Sequence, residues 1–428
     1  MQMKKSILAA LSAVLLIIAA GCSRSNKADT LELLGHVPAE ASAVAVVNLE
    51  RIVDRAGGKV KDGRLTDAGR IPEMMRRLGM KQVDVDGFEG VFSPESGVEC
   101  TSAVFFTTPM GGFFGLLLSD PAAVRAAIDR RVQGEWQQDG KIYRKGTVCI
   151  SDNLLMVGAR MTPELMSQWT GLSKVESAAG QEYAEKLAEA SACVTAWASV
   201  GGLLDMAGLS FTQRAGVKMA LGMCFNNPTQ LWAEVDAEKD VMNCRVQVLD
   251  NKLQPSKCEL KVSDIDTSLV ESLGGEANTV AAVGVSRKLV EQIRKAAESF
   301  GGRMPGAFAQ VLDGLDGTVA LGASDDISTL TRSLEGGYRL MVQTSGDNNA
   351  PLLQTLQQFG KVDISGKDFV MQTEGYGHGA LSVKDVAGEF KGAWFGVAMA
   401  MPDEGPKSMT ATLRPAAGSL ELGIAVKF

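Results

Sequence analysis

Histidine is almost missing from this chain: His36 and His378 are the only two in 428 residues. That scarcity removes most routes to imidazole acid–base catalysis and to a histidine-rich metal site. No CxxC pair occurs, so neither a zinc knuckle nor a thioredoxin-like redox motif is supported. GxSxG, HExxH and the P-loop signature are absent as well. Asp84, Asp86 and Glu89 have the carboxylates of a calcium site without the spacing of its twelve-residue loop, and read as a solvated turn. No long basic run is present, and 43 Lys and Arg stand against 50 Asp and Glu for a net charge of −7. Nucleic-acid binding and electrostatic docking on anionic lipid are therefore disfavoured. No cofactor and no metal are expected.

What is present begins with an export signal. Lys4 and Lys5 precede an uninterrupted apolar or small-residue stretch from Ile7 to Ala20, too short for a comfortable membrane span. It ends at Ala19-Ala20-Gly21-Cys22, which resembles the bacterial lipobox. That resemblance implies diacylglycerol on Cys22, cleavage before it, and attachment to a membrane through lipid. Two or three acyl chains anchor stably where one binds only marginally. Ser23 follows the cysteine in place of Asp, which by the same resemblance implies the outer membrane, with the chain facing the periplasm and the cell surface as the alternative. Residues 23–33 read as a tether.

The chain beyond Cys22 is too long for one typical core, so two or more domains are expected. A repeat supports this. Glu40–Arg51 and Glu276–Arg287 align without a gap and agree at six of twelve positions, namely Glu40, Ala41, Val44, Ala45, Val47 and Arg51. The segment reads as a nearly continuous apolar strand running into a helix, buried on both faces. Asn48 in one copy is Gly284 in the other, which excludes a shared side-chain role there. A fainter third copy starts at Glu189 and closes with Asp205-Met206-Ala207-Gly208. Capping residues before proline at Ser119-Asp120-Pro121 and Thr162-Pro163 start helices, and Asp139-Gly140 marks a hairpin. Strand, two helices, two strands, a helix and a hairpin-rich ending occur in both halves. The expected fold is α+β, with tandem duplicated domains, each a mainly antiparallel sheet with helices packed on one face. The domains are placed at 34–265, with a partial repeat from 189, and at 266–428. Leu253–Val262 is a further candidate strand.

Cys100, Cys149, Cys193, Cys224, Cys244 and Cys258 remain after Cys22. Their even number permits disulfides in an oxidising compartment, while the apolar setting of four of them equally suits buried free thiols. Leu420, Leu422, Ile424, Val426 and Phe428 alternate like a terminal barrel strand, but the capped helices favour an ordinary final hairpin. Tyr376 and His378, in Gly375-Tyr376-Gly377-His378-Gly379, are the candidate ligand-binding residues, although the third glycine comes one residue early for a dinucleotide loop.

Val37-Pro38-Ala39-Glu40-Ala41-Ser42-Ala43-Val44 with Asn48-Leu49, following the lipobox and tether, resembles the opening of a family of bacterial cell-envelope lipoproteins of unknown function. Ile265-Asp266-Thr267-Ser268-Leu269-Val270 is similar to that family too. The resemblance implies an envelope lipoprotein and brings no activity, ligand or catalytic residue. The expected role is non-catalytic binding or scaffolding with a protein partner in the envelope. A periplasmic carrier or sensor of an apolar or glycan ligand is the alternative, and a hydrolase without a readable motif comes last.

Overall fold

The computed structural model describes residues 27–77, 97–130, 134–238, 241–299, 306–325, 337–346, 349–401, 406–416 and 419–428. The signal segment, Cys22 and the Asp84–Glu89 turn lie outside the described residues, and most of the expected tether over 23–33 is instead a helix, Lys27–Leu34, that buries Thr30, Leu33 and Leu34 in the core. The chain divides into two units. One comprises residues up to Met219 together with Asn227–Gln254, and the other Ala220–Asn226 with Pro255–Phe428. The division falls at 254/255 rather than at 265/266, because the expected strand over 253–262 does not form. Cys258 of that stretch instead bridges Phe225 at the end of a helix.

The first unit runs α1 (Lys27–Leu34), β1 (Ala43–Asn48), α2 (Leu49–Arg55), α3 (Ile71–Arg77), β2 (Val98–Thr108), β3 (Gly111–Leu118) and α4 (Pro121–Asp129). A meander follows: β4 (Gln137–Asp139), β5 (Ile142–Lys145), β6 (Val148–Ser151) and β7 (Leu154–Gly158). Then come α5 (Pro163–Thr170), α6 (Glu182–Glu189), β8 (Val194–Ser199), α7 (Val200–Met206), α8 (Phe211–Cys224, from Ala220 on part of the second unit), β9 (Gln230–Glu238) and β10 (Val241–Leu249). All pairs are antiparallel, in the order β10-β9-β8-β1-β2-β3-β7-β6-β5-β4.

The second unit runs α9 (Thr267–Glu271), β11 (Thr279–Val285), α10 (Arg287–Ser299), α11 (Gly306–Asp313), β12 (Leu315–Ala323), β13 (Tyr338–Thr344) and α12 (Ala350–Gln357). It continues with β14 (Val362–Ser365), β15 (Asp368–Gln372), α13 (Val383–Glu389), β16 (Phe395–Ala400), β17 (Ser408–Ala416) and β18 (Ser419–Lys427). Its antiparallel order is β18-β17-β16-β11-β12-β13-β15-β14. Strand for strand, this is the order of the first eight strands of the first unit. The two repeated segments, β1 and β11, hold the same place in it.

The faint copy after Glu189 is therefore no third unit. It is β8, the neighbour of β1 in one sheet, with Val47 opposite Val194 and Val44 opposite Trp197. Two adjacent inner strands that both leave the sheet into a helix need the same residue pattern, which explains their likeness.

The α+β architecture and the antiparallel sheets are as the sequence indicates, but the helices cover both faces and not one. The alternation of β1 shows why. Val44 and Val46 pack with Val104, Phe106 and Phe113 under α1, α5 and α6, whose Leu33, Leu34, Trp169 and Leu187 are buried there. Val47 turns the other way and joins Ile52 and Val53 of α2, Met75 of α3 and Val124 of α4. A strand covered on both sides must be apolar at every position, as this one nearly is. Trp169 meets Phe106 and Phe113 edge-on, with centroids 5.3 and 4.7 Å apart. The second unit repeats the two layers. Val280 and Ala282 pack against α9 and α13, and Val319 and Phe369 pack against α11 and α12.

A polar tie is also repeated. Ser102 lies opposite Asn48 in register, and its hydroxyl bonds Thr30 of α1 at 2.9 Å. Thr318, opposite Gly284, accepts from the backbone N–H of Asp266 at 2.7 Å, just before α9. Each lead-in helix is thus fastened to the strand beside the central one, and the buried hydroxyl is satisfied. The six cysteines after Cys22 are free thiols.

Candidate functional site

The two units differ where the central strand ends. In the first, Asn48 caps α2, its Oδ1 accepting from Arg51 N–H at 2.9 Å. Glu50 sits in the first turn of that helix, where the helix dipole favours a negative charge. Asn48 N–H donates to the Cys193 carbonyl at 2.9 Å. The Arg51 guanidinium, 14 % exposed, meets Asp236 of β9 at 2.9 Å, and Arg55 lies 3.8 Å from the same carboxylate. The Cys193 thiol donates to the other oxygen of Asp236 at 3.1 Å. Burial works to raise the Asp236 pKa, but hydrogen bonds from Arg51 and Cys193 prevail and hold it below the ordinary aspartate value. Burial pushes the Cys193 thiol up to about 12. The charges of this corner are paired within it.

In the second unit Gly284 stands where Asn48 stood. A Cβ there would lie 1.9 Å from the Ser263 carbonyl oxygen, so the passing chain demands glycine. The cap moves on two residues to Ser286, whose Oγ accepts from Leu289 N–H at 3.1 Å and donates to the Lys261 carbonyl. Gln292 of α10 grips the same stretch, accepting from Lys261 N–H at 2.9 Å and donating to the Glu259 carbonyl at 2.8 Å. Gly284 N–H donates to the Trp394 carbonyl at 2.8 Å, so Trp394 takes the place of Cys193. Following the ladders outward, Val283, Phe395 and Leu413 correspond to Val47, Val194 and Val235. Arg414 therefore stands at the position of Asp236, and its guanidinium donates to the Glu389 carbonyl.

The result is an open corner. A cavity of about 720 Å³ lies here, wholly within the second unit, with Trp394 and Pro415 on its wall. Four of its five charged lining groups are cations: Lys257, Lys261, Arg287 and Lys288 against Asp316. Arg287 Nε lies 3.2 Å from Asp316, both side chains being largely exposed. Lys257 lies 3.1 Å from Glu259. Among the described residues, Lys261 and Lys288 have no carboxylate within ion-pair distance. Arg287 and Lys288 occupy the first turn of a 13-residue helix that has no acidic residue there. Cations at that end oppose the helix dipole by about 0.3–1 kcal/mol each, and an anion placed beside them would relieve both.

Tyr376 and His378 lie elsewhere in this unit. The Tyr376 hydroxyl donates to the Gly274 carbonyl at 3.1 Å, and its ring covers Gly322. Burial raises its pKa. His378 is exposed, and its backbone N–H donates to Ser324 Oγ at 3.3 Å. Gly377 bridges Glu276, so both residues belong to a turn docked on the start of the repeat and neither lines the cavity. The sequence reading did not find Lys261, Arg287, Lys288 and Trp394. Its one available signal was the Ser-Arg-Lys start of α10, where helices ordinarily prefer Asp or Glu.

Among the described residues no group of three or more His, Cys, Asp or Glu could hold a metal ion, and no helix is long and apolar enough to cross a membrane. No protein-family model and no curated protein matches the chain. Solved structures of TP0453 do match. Crystal form I is 10% identical with a TM-score of 0.31, covering 83% of this chain and 95% of that one. Crystal form IV is 13% identical with a TM-score of 0.31, covering 50% of this chain and 79% of that one. Likeness at that score assigns neither family nor function.

Proposed function

We propose that this chain is a bacterial envelope lipoprotein, acylated on Cys22 at the outer membrane, that acts by binding rather than by catalysis. The observation that carries the binding role is the cavity of about 720 Å³ at the end of the repeated strand in the second unit. It has the volume of a small-molecule site. The chemistry around it favours holding over cleaving. Ser286, the serine at the helix start, spends its hydroxyl on the helix cap and on the Lys261 carbonyl. Nucleophilic thiols need depressed pKa values, whereas burial raises that of Cys258, the thiol on the lining; in the first unit, away from the cavity, burial likewise pushes Cys100 and Cys193 up to about 12 and Cys149 to about 11. Burial also lowers the pKa of His36, whose Nδ1 lies 3.4 Å from the Trp169 carbonyl.

Two measurements on cells test this reading. Labelling with an alkyne-tagged palmitate should mark the unaltered chain in the membrane fraction, and Cys22→Ala should lose both the label and the membrane. Retention of label in Cys22→Ala would overturn the anchor. A fluorophosphonate probe should leave the chain unmarked, and stoichiometric covalent labelling would establish a catalytic serine in place of a binding role.

A further inference from the structure

The cavity's surplus charge identifies what it is built to hold. The chain as a whole is acidic, with a net charge of −7. Yet Lys257, Lys261, Arg287 and Lys288 surround one recess, and Asp316 is the sole carboxylate on its lining. The first unit balances the equivalent arginine internally, through Asp236 at 2.9 Å. The second unit carries Arg414 at that position and turns it away to the Glu389 carbonyl. An anion supplied from outside would do for Lys261 and Lys288 what Asp236 does for Arg51. The positive end of α10 points the same way. Lysines and arginine together suit an oxyanion of more than one charge, since each oxygen can accept from a separate donor. Trp394 lines the recess beside them, and among the described residues no hydrogen bond to its indole N–H is formed. An indole face takes up a flat or apolar group.

We infer that this cavity binds a phosphomonoester, its phosphate among Lys261, Arg287 and Lys288 and its ring or chain against Trp394. The assignment rests on the binding role proposed above and names its ligand class. A soluble phosphate ester and a phosphate-bearing lipid share that chemistry.

Isothermal titration of the full chain, purified in detergent, separates these cases. Three probes are needed: phenyl phosphate, short-chain dihexanoyl phosphatidate, and the neutral phenyl glucoside. At least one phosphate probe should bind about tenfold or more tighter than the glucoside, and weaken as salt is raised. Whichever of the two is tighter names the source. The double variant Lys261→Ala/Lys288→Ala changes two exposed side chains. It should keep the unaltered thermal midpoint while losing about tenfold or more in affinity, the scale of a lost charge-assisted hydrogen bond. Equal affinity for the glucoside, or a double variant that binds phosphate as before, would overturn the anion assignment and leave the binding role standing. If no probe binds and native mass spectrometry finds no retained small molecule, both the assignment and the binding role fall.

Discussion

Arg51 and Arg287 are the same residue of a repeated segment, met in two surroundings. Arg51 is 14 % exposed and locked to Asp236, while Arg287 is 58 % exposed, meets Asp316 at 3.2 Å and borders an open cavity. The strand order around them is the same. What differs is a handful of neighbours: Asp236 against Arg414, Cys193 against Trp394, Glu50 against Ser286, Asn48 against Gly284. A shared backbone frame thus supports a corner whose charges are paired internally in one unit and a cationic recess in the other. Ladder hydrogen bonds and apolar alternation hold the frame and tolerate changes at strand ends.

The contrast can be broken most severely at Gly284. Gly284→Asn copies the residue of the first unit, but its Cβ would meet the Ser263 carbonyl at 1.9 Å. It should destabilise the chain by about 3 kcal/mol or more in urea unfolding. The reverse change, Asn48→Gly, brings no clash; it removes the side chain that caps α2 and should cost less than Gly284→Asn.

Next in size is Asp236→Ala, which takes from Arg51 its carboxylate at 2.9 Å and from Arg55 one of its two, leaving Glu238 at 3.8 Å. Removing one partner of a fully buried pair costs about 3–5 kcal/mol. Asp236 is a third exposed, so solvent screening reduces the expected loss to about 2–3 kcal/mol. The pH profile sharpens the point. The Asp236 pKa is depressed in the folded chain, so its contribution is complete above the ordinary aspartate value of about 3.9 and is lost as pH falls through the lower folded value. Asp236→Asn should therefore lower stability at neutral pH and flatten the acid limb. An unchanged acid limb would mean that the carboxylate is not what Arg51 relies on.

Asp316→Ala should have the smallest effect, less than about 1 kcal/mol, because both partners of that pair are largely exposed. The same change removes the cavity's sole lining carboxylate and should raise, not lower, its affinity for a phosphate ester.

Much of the frame could be read from the sequence. The repeat was visible because its shared residues, Val44, Ala45 and Val47, are those a strand covered on both faces must keep apolar. Helix starts at Pro121 and Pro163 were visible because capping is local: Asp120 accepts from Ala122 and Ala123, and Thr162 from Leu165. Strand order was not visible. That β8 enters between β1 and β9 is a non-local pairing, and its pattern resembled a third repeat for the reason given above. The cavity was hidden for a similar reason. Lys261, Arg287 and Trp394 are far apart in the chain, and only the ladders from β11 through β16 to β17 reveal that Arg414 stands where Asp236 does. Tyr376 and His378, the candidates the sequence offers, sit in a turn that bridges Glu276 through Gly377, away from this cavity.

Crystals of the full chain soaked in 4-bromophenyl phosphate would test the contrast most directly, because the anomalous signal of bromine locates the ring without ambiguity. A bromine peak beside Trp394, with phosphate density reaching Lys261 and Lys288, and no peak near Arg51, is the expected result. A peak at the first unit's corner, or bromine bound away from both while the cavity stays empty, would contradict the distinction between an internally paired and an open end of the repeated strand.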